Sequence, residues 1–142
     1  MAARKYSLFE HTADLGLHIY GRDIEELFAA AAEALVAQFT DPRKIKPAGE
    51  RRIKLEASTS EELLRTWMAE LLYLYNAGGW LTRRVRFETL NEKSLAAVVL
   101  GETADPGRHE ITREVKAVTW HRLRIEKLEP GGTLRATVIL DV

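Results

Sequence analysis

Between Asp23 and Pro42 the chain carries its most constraining feature, an apolar stripe at helical spacing. Ile24, Leu27, Phe28, Ala31, Ala32, Leu35, Val36 and Phe39 follow the 3.6-residue period. A stripe that wide cannot face water, so the rest of the fold must cover it. Asp23 with Glu26 three residues on forms a capping arrangement for the first turn. Asp41-Pro42 stops the helix, because proline cannot continue the hydrogen-bond ladder. A second stripe, Leu63, Leu64, Trp67, Met68, Leu71, Leu72 and Tyr75, predicts a helix that starts near 58–60. Thr59 and Glu62 are spaced as its capping box, and Asn76-Ala77-Gly78-Gly79 ends it.

The remaining patterned segments read as strands. Residues 52–57 and 83–89 alternate around Ile53, Leu55, Val85 and Phe87, while 94–100 is a continuous apolar run expected to be covered on both faces. Residues 114–120, 122–128 and 134–142 follow, with Pro130-Gly131-Gly132 as a tight hairpin between the last two and Asp105-Pro106-Gly107 as a surface loop. Two helices packed on one face of a mostly antiparallel β-sheet give an α+β fold, and the absence of repeats or long linkers predicts a single domain over 1–142. Trp67, Trp80, Tyr73 and Tyr75 are expected in core packing rather than in base stacking.

Composition removes several functions. Lys+Arg and Asp+Glu both number 21 in the 142 residues, so the chain lacks the net basic charge usual for proteins that grip nucleic acid unaided. Cysteine is absent, which excludes thiolate metal sites and leaves oxygen or imidazole ligands. No stretch reaches the ~18 apolar residues of a membrane span and no signal-peptide core is present, so a cytoplasmic protein is expected. No nucleophile elbow, Walker A loop, zincin helix or dinucleotide turn occurs. From the residues alone the chain reads as a soluble α+β domain with room for an oxygen-ligand cation site.

Three segments carry candidate chemistry. Phe9-Glu10-His11-Thr12-Ala13-Asp14-Leu15-Gly16-Leu17 sets polar groups between apolar anchors, and either a hydrogen-bonded turn or a ligand cluster accounts for it. The terminal strand Thr137-Val138-Ile139-Leu140-Asp141-Val142 places the Asp141 side chain beside the Val142 carboxylate. Such adjacent anions either stay solvated at a frayed end or call for a cation, and an all-oxygen set suits Ca²⁺ or Mg²⁺. In Glu114-Val115-Lys116-Ala117-Val118-Thr119-Trp120-His121, strand alternation sets Val115, Ala117 and Thr119 against Lys116, Val118 and Trp120. Lys116 then either extends to solvent or points at an anionic site, and His121 is a ligand, an acid/base group or a packed side chain.

These segments together resemble the archease family. The resemblance rests on Phe9 to Gly16, on the helix after Asp23, on Glu62–Leu74 with Trp67 and Glu70-Leu71-Leu72-Tyr73, on Glu114 to His121, and on Val138 to Val142. It covers essentially the whole chain. It implies an accessory protein of the RtcB-type RNA-splicing ligase, which joins tRNA halves; the ligase itself forms a guanylylated histidine from GTP with a divalent metal. The accessory protein promotes that step and multiple turnover. The resemblance further implies Asp14, Asp141 and Val142 as metal ligands, with Lys116, His11 and His121 as functional neighbours. Ca²⁺ is the cation expected foremost in a crystal, with Mg²⁺ or Mn²⁺ as alternatives. The ligase is the expected partner, no strong independent nucleic-acid binding or membrane association is expected, and weak self-association is allowed. A chaperone-like binding module and an independent hydrolase are the competing readings.

Overall fold

The computed structural model describes residues 5–11 and 14–142, with Glu10 and His11 described in their backbone alone. Both helices form where their caps place them. The first, α1 (Ile24–Ala37), begins with the Asp23 carboxylate accepting from the Glu26 amide at 2.8 Å. The second, α2 (Ser60–Gly78), begins with the Thr59 hydroxyl accepting from the Glu62 amide at 3.1 Å. It ends on Gly79 in the left-handed region, where the Gly79 amide reaches the Tyr75 carbonyl.

The strands, numbered in chain order, are β1 (Tyr6–His11), β2 (Asp14–Gly21), β3 (Gly49–Glu56), β4 (Trp80–Leu90), β5 (Ser94–Thr103), β6 (Ala117–Val118), β7 (Arg124–Lys127) and β8 (Leu134–Asp141). All pair antiparallel, as the α+β reading requires. They divide between two sheets: β1, β2, β8 and β6 in that order with β7 also on β8, and β3-β5-β4. The helices pack against strands of both sheets, α1 on β2 and β4, α2 on β3, β4 and β5 as well as β6 and β7. Leu17, Ile19, Ala136, Val138 and Leu140 from the five-stranded sheet thus meet the helices in one core with Ile53, Leu95, Ala97 and Val99 from the three-stranded one. The apolar stripe of α1 is covered on most of the helix circumference, with Leu27, Phe28, Ala31, Ala34 and Leu35 wholly buried. Among the described residues no helix is long and apolar enough to cross a membrane.

Two expectations are corrected. The strand expected over 114–120 shrinks to Ala117–Val118, because Val115 and Val118 both enter the core at a spacing of three that strand alternation forbids. Lys116 therefore does not share a face with Val118: Lys116 is exposed and Val118 buried. Tyr73 is not a core residue either, being 63% exposed, whereas Trp67 and Trp80 are buried and Tyr75 stacks on Phe39 with 4.6 Å between ring centroids.

A polar cluster closes the end of β5. Glu102 accepts from the Lys46 amide at 2.7 Å, from the Arg108 guanidinium, and from Nε2 of buried His109 at 3.0 Å. His109 Nδ1 accepts the Asp105 amide at 2.8 Å, which leaves the ring proton on Nε2 facing Glu102. These donors, Arg108 foremost, hold the Glu102 carboxyl at about 2 against its ordinary 4.5. A depressed folded-state value means that the stabilisation is complete above 4.5 and is lost as pH falls toward 2. The melting-temperature gap between the wild type and Glu102→Gln should therefore be constant at neutral pH and close between pH 4.5 and 2. A gap independent of pH over that window would show that the carboxylate charge does not anchor the loop.

Candidate functional site

Cross-strand register assembles the candidate residues. In the five-stranded sheet Leu15, Leu17 and Ile19 lie opposite Leu140, Val138 and Ala136, and this set faces the core. The alternating set, Asp14, Gly16, His18 and Tyr20 with Asp141, Ile139, Thr137 and Arg135, faces away from the helices. Asp14 and Asp141 are direct partners across β2 and β8. On the flanks of this pair, His11 of β1 is the partner of Asp14 and Ala117 of β6 is the partner of Asp141. One row across four strands thus runs His11, Asp14, Asp141, Ala117, with Val142 directly after Asp141.

The hairpin that carries Asp14 was legible as a polar turn between apolar anchors but not as two strands. The signal was there: Leu15, Leu17 and Ile19 alternate with Gly16, His18 and Tyr20. Thr12, Ala13 and the His11 side chain lie outside the described residues. Gly16 has a steric role, because a Cβ there would strike the ring of Phe9, which lies across it. Ile139, opposite Gly16 in the register, is fully buried on this outer face.

Lys116 joins the row through its backbone, its amide donating to the Asp141 carbonyl at 2.7 Å. Its side chain is exposed. His121 sits in an exposed turn past β6, its amide donating to the Thr119 hydroxyl at 3.2 Å. Two side chains escaped the sequence reading. His18 stacks on Phe9 at 4.6 Å between ring centroids, and its Nδ1 lies 3.3 Å from the Thr137 hydroxyl. Burial, followed by the charges of Arg135 and Arg124, lowers its pKa and favours the neutral ring. The other is His109, held in the loop described above.

The arrangement suits a hard cation better than it suits acid/base chemistry. Like charges directly opposite in an antiparallel pair repel, at a cost of order 0.2–1 kcal/mol, unless something offsets them. Two carboxylates and an oxygen of Val142 would fill part of the six to eight oxygen positions around Ca²⁺ or part of the octahedron around Mg²⁺, with water completing either. Among the described residues no group of three or more His, Cys, Asp or Glu side chains that could hold a metal ion is assembled. The large exposed apolar side chains, Leu8, Tyr73, Ile111 and Trp120, sit on four separate segments, and the Arg65 guanidinium covers Trp120 at 4.5 Å.

Residues 6–142 match the model of the archease protein family. The protein archease of Thermococcus gammatolerans is 40% identical, over 98% of this chain and 99% of that one; that of Thermococcus kodakarensis is 38% identical over the same shares. Among solved structures, the solution structure of protein 1598 from Methanobacterium thermoautotrophicum superposes with a TM-score of 0.78 at 34% identity, covering 97% of this chain and 99% of that one. The crystal structure of an archease from Thermotoga maritima, described as a possible chaperone, shares the fold with a TM-score of 0.65 at 21% identity, over 100% of this chain and 99% of that one.

Proposed function

Since the chain belongs to the archease family, we propose that it is a cytoplasmic accessory protein that activates an RtcB-type RNA-splicing ligase in tRNA processing, acting through a divalent cation. Asp14, Asp141 and an oxygen of Val142 are the ligands in this reading, and Lys116 is the basic neighbour. His11 is the register partner of Asp14, and His121 follows in the turn after β6. The observation that carries the reading is the cross-strand pairing of two carboxylates from opposite ends of the chain, with the Lys116 amide on the carbonyl of one of them. A cation held by so few protein oxygens keeps positions open for phosphate oxygens, whose charge it would offset. The partner then does the covalent chemistry. A chaperone-like module would instead need a broad apolar surface.

The test pairs the purified ligase with wild-type protein or Asp14→Ala and follows GTP-dependent guanylylation over many turnovers. Stimulation should fall about tenfold or more in a variant whose melting temperature shows it to be folded. Undiminished stimulation by a folded Asp14→Ala protein removes the cation site from the mechanism.

A further inference from the structure

The strand β4 lies at one edge of the three-stranded sheet, and its start borders a cleft of about 1000 Å³. Thr82, Arg83, Arg84 and Val85 line the cleft from β4, Gly21 from the end of β2, and Ala29, Ala30 and Glu33 from α1. Successive side chains of a strand point to opposite faces. Four consecutive residues therefore meet the cleft through the edge of the strand and not through one face. Among the described residues no backbone hydrogen bond joins residues 82–85 to anything but β5. Their outward amides and carbonyls form a row on which a further strand pairs.

The charges along the cleft are unequal. The Lys5 ammonium reaches the Glu33 carboxylate at 2.9 Å, and the Arg83 guanidinium stands 4.0 Å from the same group. Arg22 pairs with Glu26 at 2.9 Å, and Arg84 forms no ion pair among the described residues. Four cationic side chains thus border the cleft against two carboxylates. Arg83 is the least compensated, since only 28% of its side chain is exposed and its one carboxylate is held more closely by Lys5. The register steps from Thr82 opposite Gly101 to Arg84 opposite Leu100, so Arg83 is the extra residue of a bulge on this edge. A half-buried guanidinium with a distant partner favours an incoming anion.

We propose that the cleft takes an extended acidic segment of a partner protein, which adds to β4 as a fourth strand of its sheet. Its backbone pairs with residues 82–85, its carboxylates offset the excess cations, and its inner side chains rest on Ala29 and Ala30. A second copy of this chain fits poorly. Pairing β4 on β4 would set Arg83, Arg84 and Arg86 against one another, with Glu88 as the single carboxylate of the strand. Residues 1–4, which precede Lys5, carry Arg4 and no carboxylate. The surface lies at the end of β2 away from Asp14, about 23 Å along the strand, and the proposal stands apart from the cation reading.

The probe is a short peptide of alternating Glu and Val, titrated into the intact chain. Wild type should bind it. Arg84→Glu, a change at an exposed position, should bind about tenfold more weakly at an unchanged melting temperature. Amide exchange at residues 82–85 should slow in the complex, because new ladder bonds protect the outward amides. The same peptide N-methylated at every residue keeps its charge but cannot complete the ladder, and it should not bind. Polyuridylate tests whether a phosphate backbone serves the same cations. The proposal is overturned by no binding of the Glu-Val peptide, by equal binding to Arg84→Glu, or by unchanged exchange at residues 82–85. Equal binding of the N-methylated peptide, or binding of polyuridylate in place of the peptide, overturns it as well.

Discussion

Asp141→Asn is expected to separate two properties of the protein. In metal-free buffer the variant should be as stable as the wild type to within about 0.5 kcal/mol. In Ca²⁺ it should lose about half of the stabilisation that the ion confers. A ligand at 100 times its dissociation constant adds about 2.7 kcal/mol, and a tenfold loss of affinity removes about 1.3 kcal/mol of that. Asparagine keeps the volume and the backbone of Asp141, whose pairing with Asp14 and Ala117 and whose bond from the Lys116 amide do not depend on side-chain charge. A purely structural aspartate would behave differently, since its loss would destabilise both states equally. Melting curves in chelator and in graded Ca²⁺, repeated with Mg²⁺ and Mn²⁺, distinguish the two cases. A variant that is less stable without metal and retains the full Ca²⁺ response would show that Asp141 serves the sheet and not a cation.

Local chemistry made much of the fold legible in the sequence. Asp23, Thr59 and Gly79 cap their helices through bonds to residues within four positions, so spacing alone located them. Strand partners are another matter, because pairing depends on contacts between distant segments. Nothing local says that β3, β4 and β5 close into a sheet of their own, nor that Asp14 lies opposite Asp141. The short β6 misled for a related reason: Val115 and Val118 satisfy the core by breaking the strand period that the sequence suggests. His18 was readable in principle, since alternation with Leu17 and Ile19 sends it to the outer face. Its stacking on Phe9 and the cationic surroundings from β7 and β8 come only with the register.

The largest loss of stability is expected at Trp67. Its side chain is fully buried on α2, its indole N–H donates to the Phe28 carbonyl of α1 at 2.9 Å, and its ring lies 5.6 Å from that of Phe87 on β4. One residue thereby ties the two helices to each other and to the three-stranded sheet. Trp67→Ala leaves a void among wholly buried neighbours that cannot all collapse into it, at a cost of about 3–5 kcal/mol, a large share of the 5–15 kcal/mol typical of a domain. Trp67→Phe keeps most of the apolar contact and gives up the indole bond, so about 1–2 kcal/mol is expected from the lost bond and the smaller ring. Tyr73→Ala on the same helix is the control: the side chain is 63% exposed, and its removal should change stability by less than about 0.5 kcal/mol. Urea unfolding of the three variants, read at a common slope, gives the order directly. Because α1 packs on β2, the strand that carries Asp14, the damage should reach the outer face as well, and Trp67→Ala should bind Ca²⁺ more weakly under mild urea than its loss at neutral, denaturant-free conditions implies. Equal stability of Trp67→Ala and Tyr73→Ala would mean that this side chain does not tie α2 to α1 and to the three-stranded sheet.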